Sequence, residues 1–160
     1  MPAQHLIEPS TLDLSRVLAG PDILDRYRAQ RGRFAMIDGI LLEDEAGKLV
    51  AGFKDIRAED WWAKDHFPGR PLFPGALMIE SAAQLATYDY MKYRGKLAEG
   101  KVVGFGGLES TRFRGTVTPP ARMIFVARLK RSRTQMFVYD TQGFCGGELV
   151  FEAEVIGVVV

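Results

Sequence analysis

One stretch limits the fold of this chain more than any other: DHFPGRPLFPGALMIESAAQ, Asp65 to Gln84. Its first half carries Pro68, Pro71 and Pro74. Each fixes its own φ and pushes the preceding residue out of the helical region, so the backbone there is stiff and extended. Gly69 and Gly75 allow turns and close approach. The second half opens a helical pattern running from Gly75 to about Tyr93, in which Ala76, Leu77, Ile79, Ala82, Ala83, Leu85 and Ala86 leave little polar face. A helix apolar nearly all round has to be buried. Its many alanines predict that other backbone packs close against it. The cations of KYRGK at 92–96 mark its carbonyl end, where the helix dipole favours them.

Something must cover such a helix, and the rest of the sequence offers strands. Residues 101–114, 120–132, 134–142 and 147–159 are rich in β-branched and aromatic side chains. Ahead of the helix, RFAMIDGILLED and KLVAGFKDIRAE read as a hairpin around DEAGK. EDWWAK reads as a single helical turn. GFGGLES at 104–110 lacks the third glycine of a dinucleotide loop and reads as a bend in a strand. Residues 10–30 read as helical. Ser10 or Thr11 caps a stripe of Leu12, Val17 and Leu18, Gly20-Pro21 breaks it, and Asp22 caps a second short helix with Ile23, Leu24 and Tyr27. The expected plan is α+β, a long central helix wrapped by a curved antiparallel β-sheet, in one domain over 1–160 with a helical extension over 1–30. Such a sheet has an open edge that a second copy can pair with, so a homodimer is expected.

The chain has 160 residues, enough for one substantial core. A net charge of +1 gives no reason to expect nucleic acid. The single cysteine, Cys145, excludes an internal disulfide and fits a reducing compartment. The start, MPAQHLIEPSTLDLS, lacks the basic and apolar regions of a secretory signal, and no run approaches the ~18 apolar residues of a membrane helix. The cytoplasm is the expected location. With only His5 and His66, no Cys-x-x-Cys, no His-Glu-x-x-His and no phosphate loop, neither metal nor nucleotide cofactor is expected.

The same stretch carries candidate chemistry. A buried helix that starts at Pro74-Gly75 leaves the amides of Gly75, Ala76 and Leu77 unpaired, ready to meet a developing oxyanion. Glu80 lies further along the helix and Gln84 one turn beyond it on the same face. A carboxyl group on so apolar a helix is expected to hold its proton near neutral pH and to act as an acid. His66 is the matching candidate base. Acid, base and oxyanion donor around an apolar cleft describe proton abstraction beside a carbonyl with loss of a leaving group. Each residue alone has a structural reading: a loop histidine, a glutamate paired with an arginine, an ordinary helix start. Their conjunction within twenty residues favours the chemical one.

HFPGRPLFPGALMIESAAQ closely resembles the signature of the β-hydroxyacyl-acyl carrier protein dehydratases of the hot-dog fold, the FabZ type. The match falls on His66, Phe67, Pro68, Gly69, Pro71, Pro74, Gly75, Glu80 and Gln84, and includes the separation 80 − 66 = 14. Weaker similarity covers residues 31–132, including RFAMIDGIL, GKLVAGFKDI and GFGGLESTRFRGTVTP. The resemblance implies a dimer with a continuous sheet and two sites, His66 of one chain facing Glu80 of the other. Three dimers per hexamer is a further family habit. The implied reaction converts a (3R)-3-hydroxyacyl thioester to the trans-2-enoyl thioester, in fatty-acid or related lipid biosynthesis, without a cofactor. His66 takes the α-proton, Glu80 protonates the departing hydroxyl, and the Gly75 amide polarises the thioester carbonyl, with Ala76, Phe67, Pro74 and Gln84 around the substrate. Glutamate at position 80 argues against the FabA type, which carries Asp and also isomerises the double bond.

Four features depart from the pattern. Asp65 stands where the family usually has Gly, and could hold the tautomer of His66. PPA at 119–121 replaces a Pro-Gly-Asp turn. Trp61-Trp62 is unusual and could narrow or cap the acyl tunnel. The first 30 residues have no clear counterpart. An acidic acyl carrier protein needs basic docking residues. The candidates are Arg112 and Arg114 on one strand and Arg128, Lys130 and Arg131 in RLKRSR, which also reads as a solvated hairpin tip. Coenzyme A phosphates could meet the same cations. A hot-dog thioesterase and a non-catalytic acyl- or partner-binding module are the alternatives. Thioesterases of this fold generally lack the His-Phe-Pro-Gly loop.

Overall fold

In the computed structural model, which describes residues 2–160, the strands appear where the apolar alternation put them. β1 (Gly39–Asp44) and β2 (Leu49–Ile56) form the first hairpin. The long helix follows, and then β3 (Val103–Phe113), β4 (Ala121–Arg133), β5 (Met136–Cys145) and β6 (Glu148–Val159). All pairings are antiparallel in the order β1-β2-β4-β5-β6-β3, so β1 and β3 are the outer strands. The glycine-rich segment lies within β3, where the register slips between Phe105 and Gly107. A Cβ on Gly106 would sit 2.5 Å from Val158, so the bend needs glycine there.

The inner face of the sheet and the long helix form the main core. Met78, Ala82, Leu85 and Ala86 pack among Val50, Phe125, Tyr139, Phe151 and Val155, all buried. Close backbone approach does occur: a Cβ at Gly52 of β2 would meet the Leu85 side chain at 3.1 Å. Strand alternation sends the other side chains to the opposite face. There Leu41, Leu49, Ala51, Phe53, Ile124, Val126 and Phe144 make a second apolar cluster.

That outer cluster explains why the predicted helix over residues 10–19 does not form. Leu6, Ile7 and Leu12 pack onto it instead. The Leu6 amide donates to Gln142 Oε1 at 2.7 Å, Gln142 Nε2 donates to the Gln4 carbonyl at 2.9 Å, and Arg128 donates to the Leu6 carbonyl at 2.7 Å. The extension is a strap with one 3₁₀ turn, Pro9–Thr11, pinned to the edge of β1 by the Ala19–Ile40 bridge. Asp13 turns its carboxylate back onto Ser15, a local bond that competes with helix formation. The second helix shrinks to α1 (Pro21–Leu24). Its cap is Gly20 rather than Asp22, and Pro21 takes the first helical position, where a missing N–H costs nothing.

α2 (Gly75–Asp89) runs on into a wider π-type turn, Tyr90–Arg94. Lys92 donates to both Glu43 oxygens at 2.9 Å, and the Tyr88 and Tyr93 hydroxyls donate to the same carboxylate, which ties the helix end to β1. Burial pushes the Glu43 carboxyl up, but these donors outweigh it and hold it below the ordinary carboxylate range.

Candidate active site

The site is built by a hairpin seven residues long. Phe67 and Arg70 exchange backbone bonds at 2.9 and 2.8 Å across Pro68-Gly69. Gly69 takes φ +73°, which the third position of a type II turn requires. Leu72 then faces His66 and holds it twice. The Leu72 amide donates to the His66 carbonyl at 2.8 Å, and His66 Nδ1 lies 2.8 Å from the Leu72 carbonyl. A carbonyl only accepts, so Nδ1 carries the proton and Nε2 of the neutral ring is left with a free lone pair. Phe67 stacks on the imidazole at 4.1 Å. The tautomer is thus set by Leu72. Asp65, the residue expected to be able to do so, lines a surface cleft with Arg33, Trp61 and Lys64.

Below the hairpin, Trp62 is buried edge-on against Phe73, 5.4 Å away, and its carbonyl accepts the His66 amide at 2.9 Å. The tryptophan pair therefore divides: Trp62 supports the loop, and Trp61 lies outside, 47% exposed. Phe73 is anchored in turn by its amide to the Val117 carbonyl at 2.8 Å.

Pro74 is the extended N-cap of α2. Of the three amides expected to be free, Leu77 is not, since it donates to the Pro74 carbonyl at 2.9 Å. Among the described residues the Gly75 and Ala76 amides have no intrachain backbone acceptor, so two donors remain. The space a Gly75 side chain would need is filled by Phe113, whose ring lies 2.7 Å from the Cβ position.

Glu80 and Gln84 meet as their spacing predicts, with Gln84 Nε2 donating to Glu80 Oε1 at 2.8 Å. Gln84, 2% exposed, does more than the sequence suggested. Its Nε2 also donates to the Phe34 carbonyl at 2.6 Å, and its Oε1 accepts the Met36 amide at 2.8 Å. These partners are backbone atoms, which no residue pattern announces. α2 is also not buried all round. Ala76, Glu80, Ala83 and Thr87 form a strip along one side that is at least partly exposed. Part of it lines a cavity of about 90 Å³ between the helix and β3, β5 and β6, with Val103, Phe137 and Ile156 on the far wall. Glu80 lines this cavity and His66 does not.

The basic residues are mostly engaged within the chain. Arg114 pairs with Glu152 at 2.7 Å, Lys130 with Glu154 at 2.7 Å, and Arg131 approaches Glu154 at 3.9 Å. Arg128 is spent on Leu6, and Arg112 donates to the Thr111 carbonyl. No group of His, Cys, Asp or Glu among the described residues could hold a metal ion. No helix among them is long and apolar enough to cross a membrane.

A helix wrapped by a six-stranded antiparallel sheet, with a proline-pinned hairpin at the helix start, defines a hot-dog fold protein. The dehydratase heterocomplex of Xenorhabdus doucetiae superposes with TM-score 0.67 at 14% identity, covering 84% of this chain and 89% of that one. A mutant thioesterase from Pseudomonas aeruginosa does so with TM-score 0.56 at 16% identity, over 76% and 81%. At these identities the likeness concerns the fold. The family follows from sequence: residues 29–154 match the FabA-like domain, and the chain belongs to that family. Within it, the chain is 32% identical over 142 residues to the 3-hydroxyacyl-acyl-carrier-protein dehydratase FabZ of Paramagnetospirillum magneticum, covering 89% of this chain and 83% of that one. It is 28% identical to the FabZ of Desulfotalea psychrophila over 94% and 95%. The resemblance is therefore to the FabZ type.

Proposed function

We propose that this protein is a hydro-lyase that dehydrates 3-hydroxyacyl thioesters carried on acyl carrier protein, in fatty-acid or related lipid biosynthesis in the cytoplasm. The observation that carries the reading is the pinned imidazole: Nδ1 committed to Leu72, Nε2 free, at the start of a helix with two free amides. Nε2 of His66 removes the proton on the carbon next to the thioester carbonyl. The charge that develops on the carbonyl oxygen meets the Gly75 amide, with Ala76 beside it. Glu80 gives a proton to the C3 hydroxyl, the C3–O bond breaks, and water and the 2-enoyl thioester leave. The proton on His66 then returns to Glu80 through solvent, so the enzyme is regenerated without a cofactor.

His66 does not line the cavity that Glu80 lines, which favours a site shared between two copies. The outer strand β3 presents Phe105, Leu108 and Phe113, each 40–52% exposed, as the surface for a second chain. A thioesterase, the other reading, has no need of a base pinned in a hairpin.

The test is hydration of crotonyl thioester on acyl carrier protein and on coenzyme A, followed by loss of enoyl absorbance. His66→Ala and Glu80→Gln should each lower kcat by at least about a hundredfold. Refolded together in equal amounts, the two variants should recover about one quarter of wild-type activity, since half the dimers are mixed and each has one intact site. An inert wild type on both carriers would overturn the reading. Active variants would remove these residues from the mechanism, and no recovery in the mixture would place each site within one chain.

A further inference from the structure

The wall of the cavity that Glu80 lines mixes apolar side chains such as Phe137 and Ile156 with two further polar ones, Thr87 and Gln30. The Gln30 Oε1 atom is buried with no hydrogen-bond partner. Buried amide groups without a partner are uncommon and call for a reason. Gln30 comes from the strap, beyond α1, and the backbone around it is firmly held. Arg31 Nη1 donates to the Gln30 carbonyl at 3.0 Å and to the Arg28 carbonyl at 2.7 Å. Arg28 is buried, donating to the Ile37 carbonyl at 2.6 Å and pairing with Asp25 at 3.0 Å. Gln30 also lines a second groove of about 310 Å³, and among the described residues Thr87 and Val103 line both spaces with it. With Thr87 and Val103, Gln30 thus forms the wall shared by that groove and the cavity that Glu80 lines.

We infer that Gln30 closes the acyl cavity and sets acyl preference, favouring short chains, or chains bearing a hydroxyl where they meet its amide, over long plain alkyl chains. The inference rests on the thioester reading of the site. A cavity of about 90 Å³ holds roughly half a dozen water-sized groups. Counted from the reacting C3, that takes an eight-carbon chain to Gln30. A methylene placed there leaves the amide desolvated and unpaired. A hydroxyl both donates and accepts, and so satisfies the amide whichever of its ends faces the chain. Discrimination by an unpaired polar group is much steeper than by one methylene more or less.

The test compares kcat/KM for N-acetylcysteamine thioesters of 3-hydroxybutyrate, 3-hydroxyoctanoate, 3,8-dihydroxyoctanoate and 3-hydroxydodecanoate. Ratios within one variant cancel differences in the folded fraction. In the wild type, the 8-hydroxyl should raise kcat/KM about tenfold over plain octanoyl. Gln30→Leu, which keeps the bulk, should abolish that preference. Gln30→Ala, which opens the shared wall, should raise the dodecanoyl-to-butyryl ratio about tenfold. A wild type indifferent to the 8-hydroxyl, or ratios unmoved in both variants, would overturn the inference. If the wild type turns over none of these thioesters, the proposed reaction fails instead. Calorimetric binding of octyl and 8-hydroxyoctyl pantetheine thioethers then decides the inference alone. A hydroxyl preference lost in Gln30→Leu upholds it, and equal or absent binding overturns it.

Discussion

Replacing Gln84 by leucine separates the two tasks of that side chain. Leucine has similar bulk and should keep the packing, but all three hydrogen bonds go. The Met36 amide is stranded in a residue 3% exposed, at a cost of about 1–3 kcal/mol. The Phe34 carbonyl belongs to a residue 67% exposed, so water can replace Gln84 there at about 0.5 kcal/mol. Set against the gain from an apolar side chain in an apolar place, the net loss should be about 2 kcal/mol. For a chain of this length that lowers Tm by roughly 4–8 °C. The bond to Glu80 has a different readout, because without it the carboxyl group is free to rotate. kcat should then fall on the order of ten- to a hundredfold, with KM changing less. Gln84 is a positioning residue, so its loss should add little in a Glu80→Gln background, where the group it positions is already disabled. Urea unfolding and steady-state hydration assays on the single and double variants give every number. Unfolding free energy within ~0.5 kcal/mol of wild type, or a full further loss of kcat in the double variant, would refute the reasoning.

Four other outcomes follow from the same geometry. Gly75→Ala should cut kcat/KM by displacing the Phe113 ring against the amide donors, and Phe113→Ala should partly restore it, as measured by a double-mutant cycle. The Glu43 carboxyl is held below its ordinary value of 4.5, so it binds fewer protons folded than unfolded; the stability it confers is full above about pH 5 and lost as pH falls, and Glu43→Gln should flatten that acid limb in pH-dependent melting. The Tyr88 phenol and Lys92 ammonium are pushed above their ordinary values, Tyr88 by burial and then Glu43, Lys92 by Glu43 against the opposing effect of burial, so their contribution is full below about pH 10 and lost above it. Deleting residues 2–18 should uncover the cluster around Phe53, Ile124 and Phe144, seen as increased binding of a hydrophobic dye and a lower melting temperature.

The central helix, every strand and the spacing of the site were legible because they rest on local rules. Alternation, proline and glycine stiffness, and the i, i+4 geometry of Glu80 and Gln84 act over a few residues. The strap was misread for the same reason. Leu12, Val17 and Leu18 suit a helix locally, but the outer face of the sheet competes for Leu6, Ile7 and Leu12, and that face exists only once β1, β2, β4 and β5 are assembled. The basic run was legible as charge, whereas Glu154, the partner of its Lys130 and Arg131, comes from β6, beyond β5 in the sheet.

The sequence by itself determined which groups could do chemistry here: an imidazole, a carboxyl and a helix start, tied together by three prolines and two glycines within twenty residues. Only the tertiary structure decided how each is held. Leu72 fixes the tautomer of His66 through a backbone carbonyl, Gln84 reaches back to Phe34 and Met36, and Gln30 is carried from the strap to the cavity of Glu80. Backbone acceptors are the same at every residue and long-range neighbours leave no local pattern, so the folded chain alone selects them.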